Sequence, residues 1–224
     1  MLNNKKKYIK ILTFSILCIG FLWIGFVLRR EVRFFIEIFT YKDNPVTVTE
    51  LNNNDVYILG DSYVVYSNPA RWTYYIYNSG YDFFCYGIPG GRSANLYGFL
   101  QTAITLHKPK YVIWCLGMND GPDRFCLPQI AWKYHLKKVM KLCKENNITL
   151  ILATVPTCPA VNNDYKNAYI RKSGYRYIDF DRAVSDGRGK WKNGFLSDNV
   201  HPTEAGAKAL AEQFLKDFPE IKQY

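Results

Sequence analysis

A hydroxyl, an imidazole, a carboxylate and several amide donors stand at intervals that alternating strands and helices could bring together. Ser62 follows the apolar run Val56-Tyr57-Ile58-Leu59 and the pair Gly60-Asp61. His201 stands three residues after Asp198, and Asn119 lies within Gly117-Met118-Asn119-Asp120. Attack by a serine on an acyl carbon needs a hydroxyl, an imidazole to take its proton, a carboxylate to orient that ring, and donors for the oxyanion. Ser62, His201, Asp198, the Gly87 amide and the Asn119 side chain supply one of each. Every piece also has a plainer use. Asp61 or Ser62 could simply cap a helix, and Asn119-Asp120-Gly121 could simply be a turn. Gly87 to Gly91 could cradle a phosphate, but the chain has neither the Lys-Ser/Thr of a P-loop nor a Gly-x-Gly-x-x-Gly pattern there. His107, between a helix and Pro109, and His135, among lysines on a helix and facing solvent, read as ordinary polar residues.

The elements that must position these groups alternate along the chain. Strands are predicted at Val56–Leu59, Tyr81–Tyr86, Tyr111–Leu116, Thr149–Val155 and Tyr175–Phe180, each a short run apolar on both faces. Helices are predicted over Asn95–Leu106, Pro128–Asn146, Tyr165–Arg171 and Pro202–Phe218, the last with Pro202 in its first turn. Alternating β and α with two-sidedly buried strands implies a parallel sheet covered by helices on both faces. In such a sheet the strands end on one edge, so Gly60-Asp61-Ser62, Gly87-x-x-Gly90 and Gly117-Met118-Asn119-Asp120 converge there. Asp198-Asn199-Val200-His201 immediately precedes the last helix. Asp61 then holds the turn, and Asp198 is the working acid.

The N-terminal region reads differently. Residues 1–7 form a basic tail, predicted cytoplasmic. Residues 8–28 contain an uncharged stretch from Ile11 to Leu28, about the length that a bilayer span needs. It lacks the short core and small-residue exit of a cleaved signal, so an uncleaved signal anchor is expected. Residues 29–45 make a juxtamembrane linker and residues 46–224 the folded domain, expected on the extracytoplasmic side of a single-pass membrane protein. The formal charge of +10 divides evenly between residues 1–44 and the remainder. The first half flanks the apolar segment, where lipid headgroups explain it, and the second is scattered without a stripe, so no nucleic-acid partner is expected. Six cysteines without a Cys-x-x-Cys pair argue against a zinc or thioredoxin-type site. One disulfide, Cys126–Cys158, is possible from their placement in loops after strands.

Taken together and in this order, the four blocks resemble the SGNH, or GDSL-type, hydrolase family over about residues 55–215. The resemblance implies that Ser62 is the nucleophile, His201 the base and Asp198 the orienting acid. It further implies that Ser62 N–H, Gly87 N–H and the Asn119 amide form the oxyanion hole. The expected fold is a three-layer α/β/α, flavodoxin-like sandwich with about five parallel strands, without a metal or cofactor. Two positions depart from the family's habit: Tyr63 replaces an aliphatic residue, and Cys85 stands where asparagine is frequent.

The implied chemistry is acyl-ester hydrolysis through an acyl-serine. Aromatic residues crowd the expected rim, namely Tyr63, Tyr66, Trp72, Tyr74, Tyr75, Tyr86, Tyr97, Trp191 and Phe195. Tyr63, Tyr86, Arg92 and Trp191 are the candidate substrate contacts. Aromatic faces with polar handles suit sugar rings, so a short acyl group on a glycan leads. The alternatives are an O-acyltransferase acting on an envelope polysaccharide, a lysophospholipase or thioesterase, and a non-catalytic anchored binding protein.

Overall fold

In a computed structural model of the protein, residues 13–26, 29, 53–64, 68–121 and 126–224 are described, without the side chains of Cys126 and Leu127. The chain divides into two units, Met1–Tyr41 and Lys42–Tyr224. In the first, residues 13–26 form a helix (α1) whose Phe14, Phe21, Leu22, Trp23 and Phe26 are 69–75% exposed. Among the described residues no helix is long and apolar enough to cross a membrane. At about 1.5 Å per residue, α1 spans some 21 Å against a hydrocarbon thickness of about 30 Å. Of the span predicted over 8–28, residues 13–26 are described, and they are helical. Residues 8–12, 27 and 28, the tail 1–7 and most of the linker 29–45 lie outside the described residues, as does the boundary at Val46.

The second unit holds five strands: β1 (Val56–Gly60), β2 (Phe84–Gly87), β3 (Tyr111–Cys115), β4 (Thr149–Ala153) and β5 (Tyr177–Ile178). They pair in parallel in the order β2-β1-β3-β4-β5, the doubly wound arrangement of flavodoxin-like sheets. The helices are α2 (Trp72–Asn78), α3 (Ser93–Leu106), α4 (Cys126–Glu145), α5 (Asp164–Lys172), α6 (Phe180–Val184) and α7 (Glu204–Asp217). Strand side chains alternate between two cores, as a period of two requires. Ile58, Ile113, Ile151 and Ile178 join Trp72, Phe180 and Phe214 of α2, α6 and α7 on one face. Tyr57, Leu59, Val112, Trp114, Leu150 and Leu152 join Leu100, Trp132 and Ile170 of α3, α4 and α5 on the other.

Two helices, α2 and α6, are not predicted from the sequence. The α2 segment, Trp72-Thr73-Tyr74-Tyr75-Ile76-Tyr77-Asn78, is rich in aromatic and β-branched residues that favour strands. Packing overrides that preference. Trp72 and Ile76, four apart, are 1% exposed, and the Trp72 ring lies 5.0 Å from Phe180 and 4.9 Å from Phe214. The closing helix also starts later than expected. Thr203 is its N-cap, accepting Gly206 N–H at 3.2 Å, and Pro202 stands before it.

Candidate active site

The sheet register aligns the ends that matter. Gly60 of β1 is opposite Gly87 of β2 and Cys115 of β3, so the residues that follow all three strands emerge on one edge. Glycine at 60 and 87 is a matter of close approach. A Cβ on Gly60 would lie 2.2 Å from Val64 Cγ2, and one on Gly87 would lie 1.9 Å from the Val64 carbonyl oxygen. The turn carrying Ser62 is thus folded back onto its own strand and onto the end of β2. Gly117 is needed on both counts, since its φ of +145° suits glycine and its Cβ would meet Val155 Cγ2 at 2.7 Å.

Asp61 builds the turn, as its position beside the serine suggested. It is 2% exposed, its Oδ1 accepts Tyr63 N–H at 3.0 Å, and its carbonyl accepts Val64 N–H at 3.0 Å. Burial pushes its carboxyl up to about 7, and the nearby Asp120 adds to the rise, against the pull of the Tyr63 amide. Asp120 is itself 4% exposed and raised to about 6 by burial. It accepts Ser93 N–H at 3.2 Å and Ser93 Oγ–H at 3.0 Å, which fastens the loop after β3 to the start of α3.

Ser62 Oγ lies 3.0 Å from His201 Nε2, and His201 Nδ1 lies 2.9 Å from Asp198 Oδ2. The loop around this pair assembles itself. Asp198 Oδ1 accepts the backbone N–H groups of Val200 and His201, both at 2.6 Å, which leaves Oδ2 to face the ring. Ser197 donates both N–H and Oγ–H to the His201 carbonyl at 2.9 Å, and Leu196 bridges Pro202 antiparallel. The His201 amide first, then the His201 ring and the Val200 amide, hold the Asp198 carboxyl down at about 2. A carboxylate at Nδ1 keeps a proton there and leaves Nε2 to accept from the serine hydroxyl. Asp198 is open to water, with a side chain 57% exposed, and that of His201 is 32% exposed.

Of the predicted oxyanion donors, Ser62 N–H meets no acceptor among the described residues. Gly87 lies against the turn. Asn119 sits at the same edge, in a 3₁₀ turn, Met118–Asp120, but its Nδ2 points to the Gly91 carbonyl at 3.1 Å and to Asp61 Oδ2 at 3.3 Å. In this state its amide braces the floor of the site, and reaching a substrate oxygen requires giving up one of those bonds.

The four candidate substrate contacts fare differently. Tyr63 is 7% exposed, its hydroxyl donates to the Val200 carbonyl, and its ring lies 6.0 Å from that of His201. It is a strut between the Ser62 turn and the histidine loop, not an open face. Tyr86 stacks on Phe99 with centroids 4.1 Å apart, on the α3 side of the sheet. Trp191 is 8% exposed and gives its Nε1–H to the Thr157 carbonyl at 2.8 Å, pinning its loop beyond β4. Arg92 remains half-buried before α3, its N–H bonded to Asn95 Oδ1 at 3.0 Å. Of the rest of the expected rim, Trp72 and Tyr97 are core residues, and Tyr66 lies outside the described residues. Packing against one's own sheet claims aromatic surface before a ligand can.

His135 is buried, 2% exposed with Nδ1 2.9 Å from the Ala131 carbonyl oxygen, and so does not face solvent as expected. His107 Nε2 lies 3.0 Å from the Asn54 carbonyl oxygen. Cys158 is a free, buried thiol 4.0 Å from the Met118 sulfur, so it forms no disulfide with Cys126. Lys166 escaped the sequence reading altogether. It is fully buried, and its phase with Ile170, four residues on and also buried, was the available signal.

The fold recurs in solved structures. A protein of the lipolytic G-D-S-L family from Desulfitobacterium hafniense matches with a TM-score of 0.62 at 20% identity, covering 74% of this chain and 99% of its own. A variant of an acetyl-xylooligosaccharide esterase from Geobacillus stearothermophilus matches with a TM-score of 0.58 at 16% identity, covering 74% and 94%. No curated protein sequence matches. Residues 58–209, from the middle of β1 into α7, match the model of the GDSL-like lipase/acylhydrolase family, and the chain belongs to that family.

Proposed function

We propose that the protein is a serine esterase in which Ser62 is the nucleophile, His201 the general base and Asp198 the acid that orients it. The observation that carries this reading is the continuous hydrogen-bonded line from Ser62 Oγ through the His201 ring to Asp198, at 3.0 and 2.9 Å. His201 Nε2 takes the serine proton as Oγ bonds to the acyl carbon, and the carbonyl oxygen becomes an oxyanion. Ser62 N–H, Gly87 N–H and a reoriented Asn119 amide stabilise that charge. The tetrahedral species collapses, His201 returns the proton to the departing alcohol, and an acyl-serine remains. Water, deprotonated by the same ring, then releases the acid.

A short, acetyl-like acyl group suits the site best. Beside the Ser62 turn the interior offers a cavity of about 20 Å³, lined by residues including Asp61, Tyr63, Cys115, Met118 and Val155, which is room for about one water. The open histidine loop favours an ester displayed on a larger molecule, and the solved acetyl-xylooligosaccharide esterase makes a glycan the first to try. The uncharged, exposed surface of α1, with Phe14, Phe21, Leu22, Trp23 and Phe26 open, supports membrane anchoring through the N-terminal segment; the enzyme is proposed to lie on the extracytoplasmic side.

The purified domain from residue 46 onward should cleave p-nitrophenyl acetate and be labelled by a fluorophosphonate, and Ser62→Ala should abolish both. Wild-type protein as inert as the variant would sink the reading. Supplying an acetylated oligosaccharide with and without a sugar acceptor, and following free acetate against acetylated acceptor, separates hydrolysis from transfer.

A further inference from the structure

Among the described residues one lysine, Lys166, is fully buried. Lysine is almost never fully buried unless its ammonium is paired or solvated by fixed acceptors. Lys166, on α5, is 0% exposed. Its Nζ donates to the Gly121 carbonyl at 2.8 Å and to Asn163 Oδ1 at 2.8 Å. Asn163, also 0% exposed, turns its own Nδ2 to the Pro156 carbonyl at 3.2 Å and the Met118 sulfur at 3.7 Å. The stem of Lys166 runs beneath the loop after β3, where a Cβ on Gly117 would lie 3.3 Å from its Cδ.

These contacts grip one segment. Gly117 stands over the lysine stem, Met118 touches Asn163, and the Gly121 carbonyl meets the ammonium. Asn119 lies between them. Its side chain is steadied from the far side by Asp61 and the Gly91 carbonyl, and its neighbour Asp120 is fastened to Ser93. A loop whose side-chain amide must turn to meet an oxyanion within a fraction of an ångström needs the backbone that carries it fixed.

We infer that Lys166 is a positioning residue for the oxyanion donor, fixing the backbone on which Asn119 is carried by holding the Gly121 carbonyl and Asn163 from inside the fold. The inference rests on the esterase reading and on Asn119 as a donor to the oxyanion. Lys166 touches no reacting atom, so its effect passes through the transition state and leaves ground-state binding alone.

The test is a double-mutant cycle on p-nitrophenyl acetate with Lys166→Met and Asn119→Ala, with thermal unfolding as the folding control. Removing an oxyanion donor costs about 10²–10³-fold in kcat, and a displaced donor costs part of that. Lys166→Met should lower kcat by about tenfold or more with KM within about twofold. In the Asn119→Ala background the same change should lower kcat by less than about twofold, because the group it positions is gone. Equal fractional losses in both backgrounds, or full kcat in Lys166→Met, would overturn the assignment. Should Lys166→Met fail to fold, Lys166→Gln keeps a donor without the charge. It should show the same split at smaller size, and full kcat in it overturns the assignment equally. Fluorophosphonate labelling of the wild type separates the two levels. Absence of labelling removes the esterase reading and this inference with it, whereas a labelled wild type with an additive cycle removes only the role of Lys166.

Discussion

Replacing Asp198 by asparagine should slow the enzyme more than replacing it by alanine, although asparagine is the closer mimic. The carboxylate has two jobs. Oδ1 accepts the amides of Val200 and His201 at 2.6 Å, and Oδ2 accepts the ring Nδ1–H at 2.9 Å. An asparagine has one acceptor oxygen, and two backbone donors compete for it against one ring nitrogen. Its oxygen therefore takes the backbone side and its NH₂ turns to Nδ1, which forces the ring proton onto Nε2 and blocks acceptance from Ser62. Turning the amide round would set its NH₂ against two N–H donors, at a cost of about 2 kcal/mol. The lost attraction for the imidazolium adds about 1.5 kcal/mol, the low end for a charged hydrogen bond, because this side chain is 57% exposed and screened. Together these make about 3.5 kcal/mol, or a few hundredfold in kcat. Alanine loses only the second quantity and lets water serve both sides, so it should cost about ten- to thirtyfold. The assay is kcat on p-nitrophenyl acetate near neutral pH, with fluorophosphonate labelling rate as an independent measure of the nucleophile. An asparagine variant faster than the alanine variant, or within about threefold of wild type, refutes the assignment of Oδ1 and Oδ2 and the tautomer argument with it.

Tyr63→Phe removes the hydroxyl that ties the Ser62 turn to the Val200 carbonyl. It should cost about 1 kcal/mol, lowering Tm by about 2–4 °C, and reduce kcat with KM unchanged; a raised KM alone would restore it as a substrate contact. Asp61 has a folded pKa of about 7, above its ordinary value of 3.8. The folded state thus binds the proton more tightly, and the contribution to stability, complete below about pH 3.8, is lost as pH rises through 7. Chemical denaturation from pH 4 to 8 should show wild type losing stability relative to Asp61→Asn, by at most about 1.4 kcal/mol per pH unit; a difference that is flat in pH would contradict the buried acid. Full-length protein should sediment with membranes and resist extraction by salt, while the chain from residue 46 should stay in the supernatant. Release of the full-length protein by salt alone would remove the anchor.

The parallel order of the sheet and the convergence of the strand ends were legible because both follow from patterns that survive folding. Runs such as Val112-Ile113-Trp114 can only be buried on two faces, and parallel strands share an edge whatever their separation in sequence. Asp198 and His201 were legible because three residues in a loop already bring carboxylate and ring together. What stayed hidden depends on contacts between distant segments. The α2 sequence carries strand-like residues, and only Phe180 and Phe214, more than a hundred residues later, make a helix of it. Tyr63, Tyr86 and Trp191 have the composition of a sugar-binding rim, but the fold spends each on packing or on a backbone carbonyl. His135 looked solvated among lysines, and its burial follows from the roll of α4 against the sheet.

The site divides into a fixed floor and an open loop, and the division bears on how it works. Beneath Ser62 lie two buried acids, Asp61 and Asp120, and one buried ammonium, Lys166. Their hydrogen bonds leave the floor little freedom, since an uncompensated buried charge costs several kcal/mol wherever the backbone shifts. The histidine loop instead holds itself by local bonds and faces water. Burial at Asp198 would strengthen its pull on the ring but close the edge from which the proposed ester substrate would approach. The structure keeps the acid exposed and restores part of its strength through two backbone amides, which with the His201 ring hold the carboxyl near 2 without burying it. Under the proposed mechanism, precision is thus built where charge would develop on the substrate oxygen, and access is kept where the leaving alcohol and water would pass. Beside the Ser62–His201 contact, the bond from Tyr63 to Val200 couples the two, because it joins the serine turn to the residue beside His201.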